Sequence, residues 1–371
     1  MPKFRFTEIA INSTEKKKPV EEDKFTYIGL EHLDSGTLTV SRWGSDIAPI
    51  GEKLVMKKGD VLFGKRRAYQ KKVGIAPFDG IFSAHGMVLR PREEVITKEY
   101  FPLFISSDYF LNEAIRISVG SLSPTVNWKD LKDLEFTIPS IEEQKRITPL
   151  IWAAIEAKNA YKEQIKCTDD FVKSQFIEMF GNEKEVVRLD QLCAHFGDGD
   201  WIESKDQSEE GIRLIQTGNV GNGEYKDKGD KARFISEETF SRLGCTEVFP
   251  GDILISRLPD PIGRACIIPK MPKSITAVDC TIVRLKSELT PMFFVAFTKT
   301  PAYTSQIDSF TTGSTRKRIS RANLGSILVP VPPKAKQNEF VSFAEQSDKS
   351  KFELQQAIDR IDNLIKTLIQ Q

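Results

Sequence analysis

Two stretches of the chain alternate short apolar runs with polar turns, and each ends in a long segment of different rhythm. Strand-length apolar runs follow Gly-Asp turns in KKGDVLFGK (57–65) and FPGDILISR (249–257), so VLFGK and ILISR are predicted strands. Segments 97–117 and 289–310 carry Phe101/Phe104/Ile105 and Phe293/Phe294/Phe297 at helical spacings, which predicts a helix in each. LEFTIP and ILVPVP read as strands with β-branched residues, stopped by proline. Segments 141–180 and 334–371 contain no glycine and are rich in Glu, Lys, Gln and Ala. In the second, Leu354, Ile358, Ile361, Ile365 and Leu368 alternate spacings of four and three, the seam of a coiled coil. The first runs Ile147, Ile151, Ala154, Lys158, Tyr161 and Ile165, with a wider stripe at Phe171, Val172, Phe176 and Phe180. Thr148-Pro149 fits an N-cap and first helical residue, so the main helix is expected to start there, leaving EEQKRI as a separate turn.

The same pattern is written twice. Residues 104–147 lie over 297–340, with Phe104 on Phe297, Gly120-Ser121 on Gly313-Ser314, Leu131 on Leu324, Pro139 on Pro332 and Gln144 on Gln337. Upstream, Gly59-Asp60 falls on Gly251-Asp252, and YIGLEHLDSG (27–36) on LIQTGNVGNG (214–223). An ordered series of matching blocks is a duplication. The predicted fold class is α+β: two tandem-repeated globular domains with mainly antiparallel or mixed sheets, each followed by a long helix. The matching lengths and seams favour packing of the two helices on each other. The expected domains are 1–140, a helical spacer 141–182, a second domain 183–333 and a distal spacer 334–371.

Composition narrows the chemistry. Among 371 residues, 40% are hydrophobic and 28% charged, as in an ordinary globular protein with room for two cores. The run MFFVAF (292–297) is too short to span a bilayer, and MPKFRFTEIA lacks a signal peptide's apolar stretch. A cytoplasmic location is expected. Five cysteines form no CxxC pair, and His32, His85 and His195 stand far apart, which argues against a zinc site or a disulfide framework. No P-loop, G-x-S-x-G, S-adenosylmethionine loop or Asp/Asn-Pro-Pro-aromatic loop is present. No catalytic residue and no metal ligand is predicted.

Local basic excess is what remains. Net charge is only +1, so distribution matters more than the sum. GKRRAYQKK (64–72) gathers Lys65, Arg66, Arg67, Lys71 and Lys72 around Tyr69, with no acid. Its counterpart SRLPDPIGR (256–264) offers Arg257 and Arg264, and GSTRKRISR (313–321) adds Ser314, Thr315, Arg316, Lys317, Arg318 and Arg321. At that place the first repeat reads GSLSPTVNWK, with hydroxyls such as Ser121 and Thr125, Asn127 and Lys129 in place of the arginine cluster. Lysine and arginine on loops neutralise phosphates, arginine grips guanine edges, and hydroxyls help fix register. Different side chains at equivalent loops of a repeated frame suit the reading of two different half-sequences. Lys65, Arg66, Arg67, Tyr69, Ser121, Thr125, Arg257, Arg264, Ser314, Thr315, Arg316 and Arg318 are the expected DNA contacts, with Lys71, Lys72 and Lys317 at phosphates.

Gly-Ser-x17-Pro-x4-Gln, given twice and each time followed by a long helix, resembles the specificity subunit of type I restriction–modification systems. The resemblance rests on Gly120-Ser121 through Pro139 to Gln144 and Gly313-Ser314 through Pro332 to Gln337, with the Gly-Asp strands before them. It covers essentially the whole chain. It implies two target recognition domains, each reading half of an asymmetric split DNA site. The helices would pack as an antiparallel coiled coil with pseudo-twofold symmetry, set the domains apart and dock two modification subunits carrying S-adenosylmethionine. Restriction subunits using ATP and Mg would cut and translocate DNA, and the chain itself would have no cofactor. The second repeat departs from the first in lacking a Glu before Gln337, and Pro149 is unexpected in such a helix. Helices of about 35–40 residues span roughly 50–60 Å, comparable with one to one and a half turns of DNA at about 34–36 Å per turn. The competing readings are a coiled-coil scaffold with protein-binding domains and an enzyme with a cryptic site.

Overall fold

In both repeats the Gly-Asp turn opens a buried strand, and a four-stranded sheet is built around it. The structure is a computed structural model that describes residues 2–313 and 317–370. In the first repeat Val61–Phe63 lies between Met87–Pro91 and Val73–Ile75, with Ala10–Ser13 beyond Met87–Pro91, all antiparallel. In the second, Ile253–Ser256 lies between Cys280–Leu285 and Ala265–Ile267, with Cys193–Asp198 beyond Cys280–Leu285. The turn aspartates close both sheets alike. Asp60 takes a bidentate pair from Arg90 at 2.8 and 2.9 Å, and Asp252 one from Arg284 at 2.8 and 2.8 Å.

A second four-stranded sheet in each repeat contains one parallel pair, Tyr27–Ile28 with Gly80–Phe82 and Ile212–Ile215 with Ser274–Thr276. The outer strand differs. Lys16–Lys17 pairs with Lys53–Met56, whereas Arg233–Ile235 pairs with Ile212–Ile215. The LEFTIP and ILVPVP segments form Glu135–Thr137 and Leu328–Pro330, paired antiparallel with Lys3–Arg5 and Val186–Arg188. The content is therefore mixed α+β, twice over.

The apolar segments 97–117 and 289–310, expected as single helices, are each two. Phe101–Ser106 is followed by Asp108–Arg116, and Pro291–Phe297 by Pro301–Phe310. Ser107 and Thr300 break them: each is extended and caps the next helix by accepting a backbone N–H. The first core collects Phe6, Phe63, Phe104, Phe110 and Phe136, and the second Phe176, Phe180, Phe293, Phe297 and Phe340.

The long segments are uninterrupted helices, Ile141–Phe180 (40 residues) and Lys334–Gln370 (37 residues). The expected start at Thr148 is corrected, because the helix runs through Pro149. Ser140 caps it instead, its Oγ accepting from Glu143 N at 3.3 Å.

Chain contacts divide the molecule into two compact units, Met1–Lys162 with Gln355–Gln371, and Glu163–Leu354. The division falls inside both long helices rather than at their ends. In the first unit Ile147 and Ile151 join the core, with Ile155, Ile365, Leu368 and Ile369 packed there, and Lys158 pairs with Asp362. In the second, Phe171 stacks on Phe343, Phe176 and Phe180 on Phe340, and Lys351 pairs with Asp169 at 2.6 Å. The heptad positions Leu354, Ile358, Ile361, Ile365 and Leu368 are all buried or half-buried.

Candidate nucleic-acid interface

The basic loop of the first unit is the hairpin turn between Val61–Phe63 and Val73–Ile75. A short helical turn, Ala68–Gln70, is bracketed by Arg67 at φ 56° and Lys71 at φ 50°. Two non-glycine residues in the left-handed region cost about 1 kcal/mol or more each, so the surroundings must hold them. They do so through the Gly-Ser loop. Val119 bridges Thr125, and Thr125 bridges Arg66. Arg67 N donates to Pro124 O at 2.7 Å, Val126 N to Lys65 O at 3.0 Å, and Arg67 Nε to Ser123 Oγ at 3.3 Å. Two loops that are about fifty residues apart in sequence thus share one face, with Lys65, Arg66, Arg67, Tyr69, Ser121 and Thr125 together. Arg66, Arg67, Tyr69 and Ser121 are exposed, whereas Lys65 and Thr125 are half-buried. Burial pushes the Lys65 ammonium below the ordinary lysine range, and the charge of Lys16 adds to the shift.

The second unit repeats this frame. Ile319 N donates to Arg257 O at 3.3 Å where Val126 N meets Lys65 O. Thr312 bridges Arg318 where Val119 bridges Thr125. Lys65 and Arg257 therefore hold equivalent places, as do Thr125 and Arg318. Lys317 and Arg318 are exposed, and Lys317 lines a groove with the 259–262 loop and the helix Pro301–Phe310. Ser314, Thr315 and Arg316 lie outside the described residues.

Several of the expected contacts are buried or bonded within the chain. Arg264 is 9% exposed, and its guanidinium donates to the carbonyls of Thr217, Val220, Leu258 and Pro261 at 2.7–2.9 Å. Four of its five N–H donors are thus taken by backbone carbonyls. Arg257 is 5% exposed; it donates to Val278 O at 2.7 Å and faces Asp198 at 3.5 Å, with Nε lacking a hydrogen-bond partner. It is part of the wall beneath the loop. In the first unit Lys72 Nζ donates to Leu30 O at 2.7 Å. Lys71 pairs with Asp108, whose second oxygen lies 3.5 Å from Lys366. The bond from Lys71 holds the Asp108 carboxyl below its usual range, and Lys366 adds to that. Lys71 is thus already neutralised locally.

Reading the sequence missed the partners that shape these loops: Asp108, Ser123, and His85, whose carbonyl accepts from Arg66 N at 3.2 Å and whose ring lies 3.5 Å from its guanidinium. None carries a local signal, because each is remote in sequence from the loop it holds. It also passed over the exposed Lys226, Lys228 and Lys231 after the second repeat's Gly221-Asn222-Gly223 turn. Interleaved acids hide that excess in a charge count.

Two copies of one frame, each presenting a paired-loop face with cations, define a duplicated loop-display protein. The chain belongs to the family described as the type I restriction modification DNA specificity domain, whose model matches residues 6–166 and 181–362. Over 352 residues it is 23% identical to the type I restriction enzyme EcoKI specificity subunit of Escherichia coli strain K12, covering 87% of this chain and 74% of that protein. It is 24% identical over 165 residues to the EcoDI specificity subunit of Escherichia coli, a match covering 44% of this chain and 36% of that protein. It is 22% identical over 343 residues to the putative MjaX specificity subunit of Methanocaldococcus jannaschii, covering 83% and 78%. The fold resembles a chain solved in work on complex assembly and conformational transition of the type I R-M system, with TM-score 0.56, 19% identity, and 99% and 96% of the two chains covered. It also resembles the type I restriction-modification S subunit of M. genitalium, with TM-score 0.51, 12% identity, and 100% and 95% covered. Among the described residues no helix is long and apolar enough to cross a membrane.

Proposed function

We propose that the chain is the non-catalytic DNA-recognition subunit of a type I restriction–modification complex. Domains 1–140 and 183–333 each read one half of an asymmetric bipartite site. One observation carries this reading: a single loop-pair frame, tied by equivalent backbone bonds in both units, displays Arg66, Arg67 and Tyr69 in one and Lys317 and Arg318 in the other. Cations on a rigid frame supply phosphate affinity, and the differing side chains supply sequence discrimination.

The helical segments 141–182 and 334–371 act as an antiparallel spacer and as the docking surface for two modification subunits. In support, the contacts within the second unit pair the two helices in opposite sense, Phe171 with Phe343 and Phe176 with Phe340. Helices of 40 and 37 residues are about 55–60 Å long, which suits half-sites about one to one and a half DNA turns apart. Methyl transfer from S-adenosylmethionine and ATP-driven translocation with Mg belong to the modification and restriction partners.

Adenine-methylation mapping tests this, in cells expressing the chain with its modification subunit. A bipartite asymmetric motif that vanishes on deletion of the chain is expected. Methylation that persists unchanged, with the partner active, removes the specificity role and leaves a scaffold.

A further inference from the structure

Lys72 and Arg264 occupy the same place in the two units. Each accepts at its carbonyl from the residue ending the preceding strand, Gly64 N and Ser256 N, both at 2.9 Å. The flanking registers also agree, Phe63 opposite Val73 and Ile255 opposite Ala265. From this place each side chain reaches back to the first residue of a three-residue helical turn. Lys72 Nζ donates to the carbonyl of Leu30 in Leu30–His32 at 2.7 Å, and Arg264 to that of Thr217 in Thr217–Asn219 at 2.9 Å. The turns are closed alike: Gly29 N donates to His32 Nδ1 and Gln216 N to Asn219 Oδ1, both at 3.0 Å. Their sequences, Leu-Glu-His and Thr-Gly-Asn, share no residue. The common feature is a cation bonded to a carbonyl.

We infer that Lys72 and Arg264 are positioning residues, one per unit, that clamp the 30–32 or 217–219 turn to the adjacent loop and so set the readout face, rather than touching DNA. This rests on the DNA-recognition reading for its consequence, though not for its geometry. A lysine reaches one carbonyl. The planar guanidinium, with five donors, reaches four, and thereby also ties Val220, Leu258 and Pro261. The second loop is accordingly held from within at four points, the first at one. Turning either cation toward a phosphate would take the side-chain donor from these carbonyls, although Thr217 O would keep Val220 N at 3.1 Å and Leu258 O would keep Ser256 Oγ at 3.2 Å.

The test uses the full chain bound to its modification subunit, with Lys72→Met, Lys72→Arg, Arg264→Met and Arg264→Lys. Binding is measured against duplexes altered in one half-site, across a salt series, and hydrogen exchange is followed at 30–33 and 217–221. Lys72→Met is expected to cut discrimination about tenfold or more in the first half-site only, and Arg264→Met in the second only. The salt slope should be unchanged, exchange at the clamped turn faster, and discrimination restored by Lys72→Arg. Arg264→Lys, which retains a single donor group, gives an intermediate loss and serves if Arg264→Met does not fold. Uniform weakening of all duplexes, with the salt slope lower by about one, would make these residues phosphate contacts and overturn the inference. Unchanged discrimination with unchanged exchange overturns it too. If the unaltered complex shows no sequence preference, the recognition reading falls, and the exchange data alone judge the clamp.

Discussion

Gln144 and Gln337 do the same work in the two repeats. Each is fully buried at the start of a long helix. Gln144 Oε1 accepts from Thr97 N at 2.7 Å, and its Nε2 donates to Val95 O and Pro139 O, both at 2.9 Å. Gln337 accepts from Thr290 N at 2.9 Å and donates to Glu288 O and Pro332 O at 2.9 and 2.8 Å. Three backbone groups in each repeat therefore depend on one buried amide. Gln144→Met, unbranched and of similar length, removes all three bonds, at about 1–3 kcal/mol for each group left without a partner. Unfolding in denaturant should show several kcal/mol lost from the first unit. A loss below about 1 kcal/mol would mean that water replaces the amide and the joint is not sealed. The repeat exposed this residue to sequence reading because its role needs a carboxamide at one fixed offset. The cations were less legible. Arg264 bonded to four carbonyls and Arg66 on the surface are written with the same letter, and burial separates them only once the chain has folded.

Among the elements, the long helices and the proline-stopped strands were legible from spacing and composition, whereas helix breaks were not. Ser107 and Thr300 split segments 97–117 and 289–310 at short polar stretches, each hydroxyl accepting one N–H of the next helix. Pro301 reinforces the second break because it has no N–H to continue the preceding helix. At Pro149 the error ran the other way. Its side chain is exposed, so the ring meets no packed neighbour there, and the cost is local: the bond that residue 149 would make to Lys145 O and the crowding of the ring against that carbonyl. Ser140 and Gln144 anchor the first turns well before that point. Pro149→Ala should restore the bond and stabilise the chain by about 1–2 kcal/mol, after allowing for the more flexible unfolded state. The midpoint of denaturant unfolding measures it. A lower midpoint would show that the proline is favoured by packing that its exposure does not suggest.

At the scale of the whole molecule, duplication and order were readable, but the compact units do not follow the repeats. The last part of the distal helix, residues 355–371, belongs to the first unit. Ile369 is part of the first core, and Ile365 and Leu368 pack against it, while Lys366 faces Asp108 beside the basic loop. Sequence reading drew the boundary at 334 because composition changes there, and composition cannot say which core a heptad seam will join. The consequence is testable by truncation after Leu354. If the distal helix were an independent appendage, both units would survive. Instead the cut removes Ile358, Ile365, Leu368 and Ile369 from the first unit, at about 1–3 kcal/mol for each buried side chain. That total approaches the roughly 5–15 kcal/mol by which a domain is stable. Hydrogen exchange should therefore accelerate through Phe101–Arg116 and Ile141–Lys162 in the truncated chain. Protection should persist in Ile253–Ser256 and Cys280–Leu285, whose core draws on Phe340 and Ala344 upstream of the cut. Equal loss in both units would show that they unfold as one, and unchanged protection in the first would return its core to residues 1–162 alone.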